Sequence, residues 1–130
     1  MDRVMEPHRC YYMGLRELFP SGRLRGLAHI TGGGIKENLN RILPKDLDAR
    51  VNLSDYRLPS LFRFLKSAGN LSEAEMLRTF NLGVGLVAVT GKEDAAHVIE
   101  HLKKGGLPAY PIGEIVEGSG RVETTGKLPW

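Results

Sequence analysis

The order of apolar runs, glycine stops and capping signals predicts an α/β (α+β) fold, a mixed β-sheet packed with helices, with elements running αβαβααβαββ. Three observations carry that expectation. Apolar runs at 24–30 and 83–89 have strand length and are bounded by glycine or turn residues. Stripes at spacings of three and four, such as Ile35, Leu39 and Ile42, alternate with those runs. Two successive strand patterns, 110–116 and 121–125, close the chain and argue against a purely parallel sheet.

Each element has its own local reason. Glu6-Pro7 is expected to open a first helix, with Cys10, Met13, Leu15 and Leu18 as its apolar stripe up to Phe19-Pro20. Ser21-Gly22 turns the chain into the strand 24–30, and after the glycines a short helix runs until Pro44 stops it. Residues 48–53 read as a short strand, and Pro59 begins a helix through Leu61, Phe62 and Leu65 that ends at Gly69-Asn70. Ser72 and Glu75 have capping-box spacing, with Leu71 and Met76 placed as a hydrophobic staple, so a helix is expected to about Thr79. Thr90 and Glu93 repeat that spacing before a helix from about 94 to 104, which Gly105-Gly106 ends. Gly118-Ser119-Gly120 suggests that the last two strands form a hairpin. The whole reads as one domain, with 1–5 and 126–130 as tails.

Composition narrows the function classes. The chain has 130 residues, of which 42% are apolar, and a mean hydropathy of −0.21; no apolar run approaches the roughly 20 residues needed to cross a bilayer. The first residues lack the pattern of a secretory signal, and Cys10 is the only cysteine, which leaves no intrachain disulfide and no Cys-based metal site. A cytoplasmic address is expected. Net charge is +3 with Lys and Arg dispersed and only 7% aromatic residues, which argues against a nucleic-acid partner. No membrane role is expected either.

The most informative stretch is His29-Ile30-Thr31-Gly32-Gly33-Gly34, where an apolar run ends in three glycines and passes into a helical pattern. Such a junction presents bare backbone N–H groups to an anion, or simply lets a strand turn into a helix. His29 and Thr31 flank the glycines with hydrogen-bonding side chains, and Asn38 follows one turn into the helix, which favours a phosphate-bearing ligand. A second constellation lies at Arg78-Thr79-Phe80-Asn81-Leu82-Gly83-Val84-Gly85. Asn81 and Gly83 fit helix C-terminal residues, and equally fit a site where Thr79 and Asn81 offer polar groups beside closely approaching backbone. His97 and His101 lie four apart on a helix without a third ligand, so no metal site is expected.

These residues resemble a known family. Residues 28–34 with Glu37-Asn38 and Pro44, then Pro59, Phe62, Gly69, Glu75-Met76, Arg78-Thr79-Phe80-Asn81, Gly83-Val84-Gly85 and Ile112-Gly113, are similar to the carboxy-terminal domain of phosphoribosylformylglycinamidine cyclo-ligase, also called aminoimidazole ribonucleotide (AIR) synthetase. The resemblance implies an AIR synthetase C-terminal-domain-like fold and ATP- and Mg²⁺-dependent ring closure of formylglycinamidine ribonucleotide in purine biosynthesis. It matches Thr31, Gly32, Gly33, Gly34, Asn38, Thr79, Asn81 and Gly83 to substrate- or phosphate-binding positions, and His29 to substrate contact or proton handling. ATP and Mg²⁺ would be bound mainly by an N-terminal domain that these residues do not contain. The resemblance therefore implies a chain inactive alone, whose partners are that missing domain and, in the complete enzyme, a second copy. His8 and Cys10 depart from the Thr and Ile usual in the family's Pro-Thr-Arg-Ile-Tyr segment. Related ATP-using enzymes, among them formylglycinamidine ribonucleotide synthetase, selenophosphate synthetase, thiamine monophosphate kinase and a hydrogenase maturation protein, are alternatives, as is a fragment that only binds a ligand or partner.

Overall fold

Glycine, proline and capping residues set most of the element boundaries, as the computed structural model, which describes residues 6–130, shows. The helices are α1 (Tyr12–Leu15), α2 (Gly34–Asn40), α3 (Ser60–Ala68), α4 (Glu73–Thr79) and α5 (Ala95–Lys104). The strands are β1 (Leu24–His29), β2 (Leu47–Asn52), β3 (Leu86–Thr90), β4 (Gly113–Glu117) and β5 (Val122–Thr125). Their order is the expected αβαβααβαββ. The Ser72 hydroxyl accepts from the Glu75 N–H at 3.2 Å while the Glu75 carboxylate accepts from the Ser72 N–H at 2.8 Å, so the capping box starts α4. At the end of α5 the N–H groups of Gly106 and Leu107 return to the carbonyls of Lys103 and Leu102, a Schellman stop that Gly106 permits at φ 76°.

The strands divide between two sheets. β1 and β3 form an antiparallel ribbon, and β2 lies at the centre of a mixed sheet, antiparallel to β4 and parallel to β5. Side chains alternate across the ribbon, so its two faces serve two cores. Ala28 of β1 joins Ile35, Leu39, Val51, Met76 and Leu82 in the main core, whereas Leu27 packs on a smaller cluster of Leu15, Leu18, Val98 and Leu102. The main core thus ties α2 and α4 to both sheets. No helix among the described residues is long and apolar enough to cross a membrane.

Four expectations are corrected. The first helix shrinks to one turn, because residues 6–11 are held by tertiary contacts instead: His8 packs on His29 and the Arg9 guanidinium reaches the Gly106 carbonyl. Of its predicted stripe Leu15 and Leu18 are buried, while Cys10 and Met13 are exposed. The closing hairpin does not form, because β2 inserts between β4 and β5. Its turn straddles the start of β2 instead, with the Gly118 and Gly120 N–H groups on the Asp46 and Leu47 carbonyls and the Ser119 and Arg121 N–H groups on Asp48 Oδ1 at 2.8 and 2.7 Å. Two interstrand spacings amount to only about 10 Å, within reach of the four linking residues.

The second capping box is also absent. Thr90 donates its hydroxyl to the Gly91 carbonyl, and α5 starts from Asp94, which makes no side-chain cap and instead lies 3.1 Å from Arg23 Nε. Finally, 126–130 is no tail. Leu128 is buried in the main core, Arg63 donates to the Pro129 carbonyl at 2.6 Å, and the Trp130 indole N–H donates to Glu73 at 2.5 Å. The other expected tail, 1–5, lies outside the described residues.

Candidate functional site

Strand pairing brings the two motifs together across about fifty residues of sequence. His29 lies opposite Leu86 at the end of the β1–β3 ribbon, the Ile30 N–H donates to the Gly85 carbonyl at 2.9 Å, and the Gly33 N–H donates to the Arg78 carbonyl at 2.9 Å. The loops 30–34 and 78–85 therefore adjoin, with α2 and α4 packed side by side behind them.

The three glycines have different reasons to be there. Gly33 and Gly34 have φ of 93° and 62°, and a Cβ on Gly34 would run into the Leu77 carbonyl of α4. Gly32 needs neither freedom: its φ is ordinary and nothing lies within 4 Å of a Cβ placed there. It faces open space.

Hydrogen bonds already engage much of the loop. The Gly33 N–H is on Arg78 and the Gly34 N–H is on the Thr31 carbonyl at 3.0 Å, so two of the N–H groups expected to meet an anion are turned inward. The Glu37 carboxylate also folds against Gly33, at the start of α2. Asn38 is buried, and its amide nitrogen points at the carbonyls of Thr31, Gly32 and Gly34 at 3.3, 3.1 and 2.8 Å. Its amide oxygen accepts from Arg41 at 3.2 Å, so Asn38 is the internal pillar of the loop, with its polar atoms spent on protein. What the loop leaves outward is the exposed Thr31 and Gly32, beside the exposed His29.

The second loop is built as an Asx turn. Helix α4 ends at Phe80 in an extended conformation, so Asn81 and Gly83 are not its left-handed C-terminal residues. Instead Asn81 Oδ1 accepts from the Gly83 N–H at 3.0 Å, and Leu82 and Gly83 both take positive φ, 53° and 91°. A buried leucine in that region is strained, and neither its identity nor its spacing announced it. Thr79 stands exposed at the end of α4.

Residues 6–11, expected as the opening of a first helix and noted for their likeness to the family's Pro-Thr-Arg-Ile-Tyr segment, complete the surroundings. His8 Nε2 lies 2.6 Å from His29 Nε2, and the Tyr11 ring meets both imidazoles edge-on. Burial pushes the Tyr11 hydroxyl above the ordinary tyrosine value, against a smaller opposite pull from Arg9. The segment rests on Gly85, where a Cβ would collide with the Tyr11 hydroxyl.

A cavity of about 780 Å³ opens on the other side of Gly83–Gly85, between β3 and residues 107–115. It touches Tyr11, Arg57, Val87 and Tyr110 but not His29, Thr31, Gly32, Gly33, Gly34, Asn38, Thr79 or Asn81. The Arg57 guanidinium lies 4.4 Å over the Tyr110 ring, and the Tyr110 hydroxyl accepts from the Arg57 N–H at 3.2 Å. Among the described residues no three His, Cys, Asp or Glu side chains converge as a metal site.

Residues 1–125 match the family described as AIR synthase related protein, C-terminal domain, and the chain belongs to that family. Over 121 residues it is 39% identical to the phosphoribosylformylglycinamidine cyclo-ligase of Alkaliphilus oremlandii, covering 93% of this chain and 36% of that protein. It is 40% identical over 119 residues to the chloroplastic enzyme of the same name from Arabidopsis thaliana, covering 92% of this chain and 31% of that one. A crystal structure from Thermus thermophilus superposes with a TM-score of 0.59 at 28% identity, covering 94% of this chain and 37% of the other. The chain spans about a third of the length of the curated relatives it matches.

Proposed function

We propose that this chain works as the C-terminal part of a phosphoribosylformylglycinamidine cyclo-ligase, closing the imidazole ring of formylglycinamidine ribonucleotide to give AIR in purine biosynthesis. The observation that carries this reading is the meeting of the 29–34 and 78–85 loops, which puts His29, Thr31, Gly32, Thr79 and Asn81 at one end of the β1–β3 ribbon. ATP with Mg²⁺ would supply the phosphoryl group that turns the formyl oxygen into a leaving group, so that the amidine nitrogen can attack and phosphate depart. Among the described residues no three His, Cys, Asp or Glu side chains form a metal cage, and both cofactors are assigned in this reading mainly to an N-terminal domain outside these 130 residues.

In this reading each side chain has a defined task. Gly32 lets a phosphate-bearing ligand come against bare backbone, and the Thr31 hydroxyl donates to it. Gly33 and Gly34 hold the loop on α4, and Asn38 keeps its carbonyls turned inward, so that they do not face an anion. Thr79 and Asn81 offer a hydroxyl and an amide from the second loop, placed by the turn at Gly83. His29 contacts the substrate and hands a proton to it or takes one from it. In the complete enzyme two copies associate, and the protein works in the cytoplasm.

The test is ATP-dependent AIR formation by this chain alone and after fusion to an ATP-binding first domain. No turnover alone and turnover in the fusion is the expected result. An inactive fusion that is folded and binds ATP would overturn the reading.

A further inference from the structure

His8 belongs to the opening segment, outside both glycine loops, yet its imidazole makes the closest polar contact of His29. The two Nε2 atoms are 2.6 Å apart, the ring centroids 4.7 Å apart and the planes tilted by 51°. Two neutral imidazoles can approach so closely through these atoms only if one Nε2 carries the hydrogen and the other is bare. The contact therefore couples the tautomers of the two rings as well as fixing their orientation.

Three further contacts hold His8 there. Tyr11 lies edge-on to His8 and to His29, with centroids at 5.9 and 6.3 Å. Gly85, whose carbonyl anchors the Ile30 N–H, leaves the space that the Tyr11 hydroxyl fills, and His8 Cε1 lies 3.5 Å from where its Cβ would stand. The Arg9 guanidinium reaches across to the Gly106 carbonyl at 3.4 Å, beyond α5. The segment is thus pinned by β1, by the second loop and by the end of α5.

We propose that His8 is a positioning residue for His29: the shared hydrogen between their Nε2 atoms couples the tautomer of His29 to that of His8, fixes the ring's orientation and leaves its Nδ1 as the nitrogen available to substrate. The proposal rests on the reading of His29 as a group that meets substrate, and it deepens that reading. A ring free to rotate and to exchange tautomers would present the required nitrogen only part of the time.

The first experiment needs no activity. Ring ¹⁵N shifts of this chain at pH 8, assigned with His→Ala variants, should show complementary Nε2 protonation of His8 and His29 in the native protein, one ring carrying the hydrogen to the extent that the other lacks it. They should show the tautomer ratio of a free imidazole for His29 in His8→Ala and in Gly85→Ala, which displaces Tyr11. His8→Gln, whose amide can still bond to the Nε2 atom, should move the His29 shifts away from that free ratio. Identical His29 shifts in native protein and His8→Ala overturn the proposal. The second experiment uses the chain fused to its first domain, where His8→Ala should lower kcat at least fivefold with KM unchanged and His8→Gln should recover most of it. Unchanged kcat in His8→Ala, when His29→Ala lowers it, also overturns the proposal. A native fusion without activity overturns the functional reading instead, and the ring shifts then decide the His8–His29 couple by themselves.

Discussion

Two glycine-rich loops, 32–34 and 118–120, are each locked by one side chain, and the two locks are chemical opposites. In the first, the buried neutral amide of Asn38 donates to loop carbonyls; in the second, the surface carboxylate of Asp48 accepts from loop N–H groups. The first lock is a neutral amide, so the lock itself carries no charge that changes with pH. Turning N–H groups onto a carboxylate fills the second loop with its own anion, so it presents no vacant nest. The candidate binding loop is therefore the one whose lock does not compete with a ligand.

Substitutions can break this contrast, and Gly34→Ala should do most damage. The methyl group meets the Leu77 carbonyl at a φ of 62°, and a loss of about 3–4 kcal/mol is expected in urea unfolding. An unchanged midpoint would mean that the loop does not pack on α4. Asn38→Ala comes next, at about 2 kcal/mol, because it removes the amide that donates to the Thr31, Gly32 and Gly34 carbonyls and empties a buried site. Its loss should be the same at pH 4 and pH 8.

Asp48→Asn tests the other lock through pH. The N–H groups of Arg121 first and Ser119 second hold the Asp48 carboxyl below its ordinary value. A depressed native value means that the unfolded chain binds the proton first, so this stabilisation is complete above about pH 3.9 and is lost as pH falls through the native value. Melting temperature should therefore fall more steeply below about pH 4 in the native chain than in Asp48→Asn. Parallel acid limbs would show that the carboxylate does not hold the turn.

Gly32→Ala should have the smallest effect on folding, within about 0.5 kcal/mol, since its Cβ meets nothing. In the fused enzyme the same change should raise KM for the ribonucleotide by about tenfold, a difference of ~1.4 kcal/mol. A variant as active as the native fusion would assign Gly32 no part in binding.

Much of this was legible because it is local. The Ser72 capping box, the Gly105-Gly106 stop and the helix 34–40 after the glycines form as the sequence reads, since each depends on residues within one or two turns. The Thr90 box shows the limit of such signals: the same spacing failed when the threonine hydroxyl found the Gly91 carbonyl and Asp94 found Arg23. Leu82, with its positive φ and full burial, carried no local mark at all.

By itself the sequence determined the element types, their order and the two glycine-bearing loops, because hydrophobic period, caps and glycine freedom act over a few residues. Only the tertiary structure decided which strands pair, that β2 would separate β4 from β5, and that Asn38 would face inward. It also decided that His8 would meet His29. Those outcomes depend on which distant backbone and side-chain groups satisfy one another at lowest total free energy, and that sum runs over the whole fold.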